Sequence, residues 1–433
     1  MYLDYNDLPK IKFSAKKQVK ISDSTIRDGA QMPGFVMTRK NKLDIYEFLH
    51  KCRVEKLESF LYNQRDKDVL KEMLNRGYEF PEPTGWARSV KSDIDLVLNM
   101  DGLKETGILM SVSDIHIFEK MGKKSRDEAE KMYLDTLQYA KDHGLRTRCH
   151  LEDITRSDFE GFVLPFVKKI LTIDSKSIIR ICDTLNYGLP FIEADLPYSI
   201  PKQVIALKKI GVENIETHIH EDFGLSLANS LAGYWHGANW SNMTFLGFGE
   251  RAGNANLEKM LLFLRVRAAG YEKYDLSSMV SLAKYVEREL KMRIPRNKAV
   301  VGRNIFAHEG GAWSADVIKN PFTYEPYPPS LIGAKRKIML REDSSLDVIR
   351  LRVQQIISET MDIKVSIEKS DKRIKEIQKQ INSMYQNTGR ISCISDDELI
   401  RMVIHEFLFK KHLRMVQPDE TQDSASNLQK KSN

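Results

Sequence analysis

A chain of 433 residues has room for one large domain and a smaller companion, or for two to three domains. With 42% hydrophobic and 29% charged residues it has the composition of an ordinary globular protein, and no stretch approaches the ~18 apolar residues of a membrane span. The formal charge of +7 suits an anionic small-molecule substrate, and the lysines and arginines do not cluster with aromatics as in a nucleic-acid binder.

In chain order, short apolar-alternating runs predict strands at Val19–Asp23, Lys56–Phe60, Thr84–Arg88, Glu105–Val112, Arg146–Glu152, Ser177–Asp183, Asn214–His218 and Met243–Gly247. Between them, helical periodicity is clear at Lys42–Cys52, Arg126–His143, Asp158–Leu171, Pro201–Ile210, Leu225–Gly237 and Leu257–Ala268. Gly144 stands where a C-terminal cap belongs, and Pro201 suits a first helical turn. Eight strand–helix units in about 250 residues predict an α/β fold, a closed (β/α)₈ TIM barrel, rather than an open sheet. After residue 290 prolines and glycines punctuate an irregular stretch. Helices follow at Ser345–Thr360, Ser366–Tyr385 and Asp396–Lys411, the last opened by a capping box, Ser395-Asp-Asp-Glu398. The expected organisation is a catalytic barrel over 14–290, a small lid subdomain over 291–345, a helical C-terminal subdomain over 346–415 and a disordered tail over 416–433.

Barrel enzymes carry their chemistry at the C-terminal ends of the strands. Asp28, Arg88, Ser113, Glu152, Thr184, His218, His220 and the segment Gly249–Asn254 all fall at that end of the predicted strands. Histidines two apart in a strand face one side. Two imidazoles and one carboxylate make a mixed O/N donor set for a divalent metal, and Arg27 beside Asp28 could stabilise an oxyanion next to it. Cys52, Cys149, Cys182 and Cys393 form no Cys-x-x-Cys pair, so reduced thiols in a cytoplasmic protein are expected. The first residues have neither a basic start nor an apolar core, so no secretory signal is expected.

Several motifs carry a family resemblance. They are Asp23-Ser-Thr-Ile-Arg-Asp-Gly-Ala-Gln31, Gly85-Trp-Ala-Arg88, Ser113-Asp-Ile-His116, Glu152-Asp-Ile-Thr-Arg-Ser-Asp158, His218-Ile-His-Glu-Asp222 and Gly247-Phe-Gly-Glu-Arg-Ala-Gly-Asn254, continued by Val301–Glu309 and Lys319–Glu325. In this order they resemble the acyl-CoA-condensing metal enzymes: isopropylmalate, homocitrate and citramalate synthases and their lyase cousins. The resemblance runs from about residue 18 to 410. It implies that Asp28, His218 and His220 bind a divalent cation (Mn, Mg, Co or Zn), with Asn254 near a fourth position and Asp222 orienting a histidine. It implies Arg27 as the oxyanion-stabilising arginine; the structural alternative, compatible with that role, is an ion pair with Asp23 or Glu152. Glu152, His308 and Tyr324 become the acid–base group, and Gly247, Gly249 and Glu250 the site of the acetyl-CoA thioester arm. The partners implied are a 2-oxo acid and acetyl-CoA, with no nucleic acid or membrane, and the assembly a homodimer.

Departures from the family pattern lie in the expected substrate pocket. Trp313 and Ala315 stand where relatives often carry His-x-Asp, Thr106-Gly107 where most synthases have a histidine, His150 in place of a serine, and Glu221 in place of an asparagine. No allosteric module is expected after residue 410. Arg148, His150 and Glu152 alternate onto one barrel face, so a pair of cationic side chains is expected to line the pocket and suit a second carboxylate. Arg88, Ser113, Arg148, His150 and Thr184 are therefore the candidate substrate-binding residues. The look is closest to Re-face citrate synthases, with oxaloacetate the first candidate; the rivals are another 2-oxo acid synthase, a lyase or aldolase, and a non-catalytic barrel.

Overall fold

The structure is a computed structural model that describes residues 5–13, 18–309, 311–361, 365–386 and 389–409. The tail expected over 416–433 and the end of the last helix lie outside those residues. Two compact units divide the chain: residues 1–305 with 330–334, and residues 306–329 with 335–433.

The first unit is a closed parallel barrel of β1 (Lys20–Asp23), β2 (Lys56–Ser59), β3 (Glu82–Arg88), β4 (Glu105–Ser111), β5 (Arg146–Glu152), β6 (Ile178–Asp183), β7 (Asn214–Ile219) and β8 (Trp240–Met243). It closes where Lys20 pairs with Trp240 and Asp23 with Met243. All eight strands overlap their predicted positions, the eighth at Met243 alone because it begins three residues earlier than expected. Its inward side chains are Trp240 and Asn242, so Asn242 breaks the apolar pattern, and the apolar run after Met243 instead forms a 3₁₀ turn over Phe245–Gly247.

The helices begin and end where local chemistry dictates. Thr38 caps the helix Arg39–Cys52 through a reciprocal pair of bonds with Asn41. Arg126–Asp142 starts on the Ser125 cap and ends with Gly144 at φ +81°. Alternate strand residues, including Ile21, Leu57, Ile108, Leu151, Ile181 and Ile215, are fully buried against this helical ring. Each such side chain contributes about 1.5–3 kcal/mol of transfer free energy.

The other face of the strands lines the interior, and it is charged. Barrel centres are usually filled with branched apolar residues. Here a chain of ion pairs crosses the barrel: Lys56 to Glu105, Glu105 to Arg148 (3.1 Å), Arg148 to Glu216 (3.2 Å), Glu216 to Arg180 (2.6 Å), Arg180 to Glu58 (3.0 Å) and Glu58 to Arg27 (2.5 Å). Every member is buried. Such a chain is tolerable because each charge meets an opposite one; losing a single partner from a buried pair costs about 3–5 kcal/mol.

The second unit holds a two-stranded parallel ribbon, β9 (Ala307–Glu309) with β10 (Lys337–Met339), and helices over Gly311–Lys319, Leu346–Met361, Lys372–Gln386 and Asp396–Val403. Ile349, Val353, Ile377, Ile381 and Leu399 form its core. The predicted Ser395–Glu398 capping box is present.

Candidate active site

At the C-terminal mouth of the barrel, Asp28, His218 and His220 bring one donor atom each to within 4.8 Å of one another. Asp28 is delivered by the turn after β1, where the N–H groups of Arg27 and Gly29 both donate to Ser24 O. Gly29 lets this turn approach the loop after β8, since a Cβ there would lie 3.0 Å from Phe248 Cβ. His218 is the penultimate residue of β7, and His220 follows the strand with its N–H donated to Asp183 O.

His218 Nδ1 lies 2.7 Å from Asn242 Oδ1, which also accepts from Ser24 Oγ at 2.8 Å. With Nδ1 as the donor, Nε2 keeps its lone pair and faces Asp28 Oδ2 at 3.3 Å. Burial pulls the His218 imidazole down to about 3, against the opposing pull of Asp28, and burial lowers His220 in the same way. Burial would raise Asp28, but Arg27 and then the two histidines reverse this and hold its carboxyl below the usual range. At neutral pH the cluster is therefore two neutral imidazoles and one carboxylate.

That donor set fits a divalent cation of the manganese-to-zinc type. Two further buried atoms support the fit: His220 Nδ1 and Asn254 Oδ1 have no hydrogen-bond partner. Buried polar atoms are rarely left so unless something absent completes them. Asn254 is held beside the cluster by a β-bridge to His220 and by its amide nitrogen, which donates to Phe248 O at 3.0 Å.

Arg27 lies against this cluster, with Nη2 3.4 Å from Asp28 Oδ2. Its main partner is neither Asp23 nor Glu152, as the sequence suggested, but Glu58, at 2.5 Å from Nε. The Phe60 and Trp86 rings flank the guanidinium at 5.8 and 5.6 Å. Asp23 instead accepts from the N–H and hydroxyl of Thr25, each at 2.8 Å, and burial raises its carboxyl to about 7.

Glu152 ends β5 at the mouth and accepts from Ser111, His116 and Lys120. Ser113 and Thr184 gather around the neighbouring Asp153: Ser113 Oγ donates to its carboxylate at 2.5 Å, and its N–H donates to Thr184 Oγ1 at 2.9 Å. Arg88 turns to the rim, forking onto Asp93 and lying over Tyr62.

Arg148 does face inward with His150 and Glu152, but two of its nitrogens are matched to Glu105 and Glu216, and its guanidinium covers Trp240 at 5.1 Å. Strand alternation gives these residues a common face but different depths: each step of two residues back along β5 descends one layer. Arg180 is the guanidinium beside His150, with Nη1 3.4 Å from Nδ1. Gly247 and Gly249 are also required on steric grounds. A Cβ at Gly247 would meet Asn254 O at 2.9 Å, and one at Gly249 would meet Asn254 Nδ2 at 2.3 Å. Their smallness lets the loop close on Asn254, while Glu250 is exposed.

In the second unit His308 Nε2 lies 3.2 Å from Glu325 Oε1, and Arg336 forks onto the same carboxylate at 2.5 and 2.6 Å. Tyr324 is about half exposed. The side chain of Trp313 lies outside the described residues.

Glu58, Asn242, Glu216, His116 and Lys120 have no role assigned from the sequence, His116 appearing only within the Ser113–His116 motif. Glu58 had a signal: in Lys56-Leu-Glu-Ser59 two charges alternate with an apolar residue, which in a barrel strand places both charges inside. Asn242 has none, because the predicted eighth strand begins after it.

A closed (β/α)₈ barrel with two histidines, a carboxylate and an arginine converging at its C-terminal mouth defines a class: barrel proteins with a candidate divalent-metal centre. Comparison with known families makes this narrower. The family described as HMGL-like matches residues 18–286, and the one described as homocitrate synthase post-HMGL domain-like matches residues 300–387. The chain belongs to the HMGL-like family. It is 35% identical over 420 residues to citrate (Re)-synthase of Clostridium kluyveri, covering 92% of this chain and 91% of that one. It is 33% identical to 2-isopropylmalate synthase of Sulfolobus acidocaldarius (90% and 97% covered) and 32% identical to homocitrate synthase AksA of Methanothermobacter thermautotrophicus (87% and 94%). The hydroxymethylglutaryl-CoA lyase of Pseudomonas aeruginosa shares the barrel fold, with a TM-score of 0.54 at 16% identity, over 66% of this chain and 95% of that one. Among the described residues no helix is long and apolar enough to cross a membrane.

Proposed function

We propose that the protein is a metal-dependent acyltransferase that condenses acetyl-CoA with a 2-oxo acid and releases CoA, with oxaloacetate the first candidate and citrate the product. The observation that carries this reading is Arg27 set against the Asp28–His218–His220 cluster. Likeness over nine-tenths of the chain to a protein named citrate (Re)-synthase supports the choice of acid. So does the polar layer of His150, Arg180 and Glu58, which offers no apolar wall to a branched tail. Likeness to homocitrate, isopropylmalate and citramalate synthases keeps their 2-oxo acids as the alternatives. The match of residues 300–387 to a homocitrate synthase domain favours condensation over lyase cleavage.

Asp28, His218 and His220, with Asn254 Oδ1, would hold a divalent cation, which when bound supplies Lewis-acid polarisation of the 2-oxo acid's carbonyl. His308, oriented by Glu325, is assigned removal of a proton from the acetyl methyl group, with Tyr324 as a second proton carrier. The resulting enolate carbon attacks the keto carbon. Arg27, fixed by Glu58 and the rings of Phe60 and Trp86, stabilises the charge that develops on the keto oxygen. Protonation of that oxygen and hydrolysis of the thioester by water give the hydroxy acid and CoA. Ser113 and Thr184, with Arg88 at the rim, are assigned to substrate positioning, and Gly247, Gly249 and Glu250 to the wall facing the thioester arm. We assign the assembly as a homodimer, and the free thiols at Cys52, Cys149, Cys182 and Cys393 suit a cytoplasmic setting.

The test is release of CoA thiol from acetyl-CoA with Mn²⁺ or Mg²⁺ and a panel of 2-oxo acids. Turnover with oxaloacetate is expected. Turnover only with 2-oxoglutarate, 2-oxoisovalerate or pyruvate would move the substrate assignment, and no release with any acid would end the synthase reading.

A further inference from the structure

The carboxylate of Glu152 is gripped from one side. Ser111 Oγ donates to Oε2, His116 Nδ1 lies 3.1 Å from Oε2, and Lys120 Nζ reaches both oxygens at 2.7 and 2.9 Å. His116 and Lys120 come from one short segment, Ile115–Lys120, wound as a π-helix in which Met121 N–H donates to His116 O. The wide winding gives poorer backbone packing than an α-helix and recurs at functional sites.

His116 does more than touch Glu152. Its Nε2 lies 3.7 Å from Asp153 Oδ2, so one imidazole spans two consecutive carboxylates at the end of β5. Asp153 is fixed in turn. Its backbone is left-handed at φ +64°, Arg156 Nε sits 2.9 and 3.0 Å from its oxygens, and Ser113 holds Oδ2. A non-glycine residue in that conformation persists only where its surroundings over-determine it. The register also matters: Glu152 pairs with Cys182, and Cys182 with His218, so this carboxylate stands two strands from the histidine cluster in the same layer.

We propose that His116 and Lys120 are positioning residues, which lock Glu152 as an anionic strut at the barrel mouth and leave proton exchange to other groups. The inference rests on the proposed condensation for its purpose, although not for its geometry. A carboxylate that already receives three donors has little capacity left to take a proton from a substrate carbon. Titration agrees: burial would raise Glu152, but His116, Lys120 and Ser111 bring it down to about 2. The other titratable groups nearby are Cys182 across the strand pair and Tyr133, whose hydroxyl donates to Ser111 O. Both are pushed up by burial and stay neutral.

The test uses the full chain with Lys120→Met, His116→Gln, the double variant and Glu152→Gln. By thermal unfolding at pH 7, Glu152→Gln should lower Tm in the wild-type background and change it little in the double-variant background. The same wild-type gap should shrink as pH falls from 4.5 toward 2, because the stabilisation belongs to the carboxylate. Equal gaps in both backgrounds would overturn the clamp. In the thiol-release assay, Lys120→Met should lower kcat roughly 100-fold, the scale of a small misplacement, with KM for the 2-oxo acid little changed. Lys120→Arg should restore most of it; wild-type kcat in Lys120→Met would overturn the functional role. If the wild type releases no CoA, the condensation reading fails along with that role, and the unfolding cycle still decides the clamp.

Discussion

The ring of His150 occupies the space that Gly107 leaves open. A Cβ on Gly107 would stand 2.4 Å from Cε1 and 2.5 Å from Nε2 of the imidazole. The two residues lie on neighbouring strands, one carrying the bulk and the other its absence, and they fix the height at which the imidazole sits in the barrel. Burial first, then the surrounding arginines, keeps His150 well below its ordinary value and therefore neutral.

Gly107→Ala should therefore act on His150 although it adds only a methyl group. Overpacking of this kind costs about 1–3 kcal/mol, and the imidazole must leave its place. The urea midpoint should fall, and KM for oxaloacetate should rise more than KM for pyruvate. A fall in stability with both KM values unchanged would show that the pair is structural only.

Glu58→Gln should be costly twice over. Glu58 neutralises Arg27 and Arg180 together, at 2.5 and 3.0 Å. Loss of one partner in a buried pair is worth about 3–5 kcal/mol, so the denaturant midpoint should drop sharply. In whatever protein remains folded, kcat/KM should fall as well, because Arg27 loses its anchor. Near-wild-type stability would mean that the ion-pair chain is not the continuous structure described above.

Asp23 gives a prediction about pH with a definite sign. Burial raises its carboxyl from 3.8 to about 7, so between those values the folded state holds a proton that the unfolded state has released. Stability therefore falls as pH rises through that window, by a few kcal/mol in total, and levels off above it. Asp23→Asn removes the titration and keeps an acceptor for Thr25. Its Tm relative to wild type should climb from pH 4 to pH 7 and then stay constant; a gap that does not vary with pH would contradict the assignment.

Much of this was legible in the sequence, because the barrel and its mouth depend on periodicity. The spacing of His218 and His220, and Asp28 in the turn after the first strand, suffice to place a donor cluster at one end of the barrel. What sequence periodicity could not show was depth and pairing. Arg148 and His150 share a face, yet one is matched to Glu105 and Glu216 while the other rests on Gly107 beside Arg180. Asn242 escaped because a polar interior makes an inward-facing asparagine look like the end of a strand. For Arg27 the sequence gives the right chemistry and the wrong partner, since Glu58 lies on the next strand and meets Arg27 only once β1 and β2 pair.

Asp28, His218 and His220 are proposed as the metal site of the barrel mouth. This assignment is tested most directly by calorimetric titration of Mn²⁺ into the metal-stripped protein, wild type beside His218→Ala. One site per chain is expected in the wild type, with heat that largely disappears in His218→Ala while the variant keeps its cooperative unfolding transition. Equal stoichiometry and affinity in the two proteins would place the metal elsewhere, and the account of the barrel mouth would fall with it.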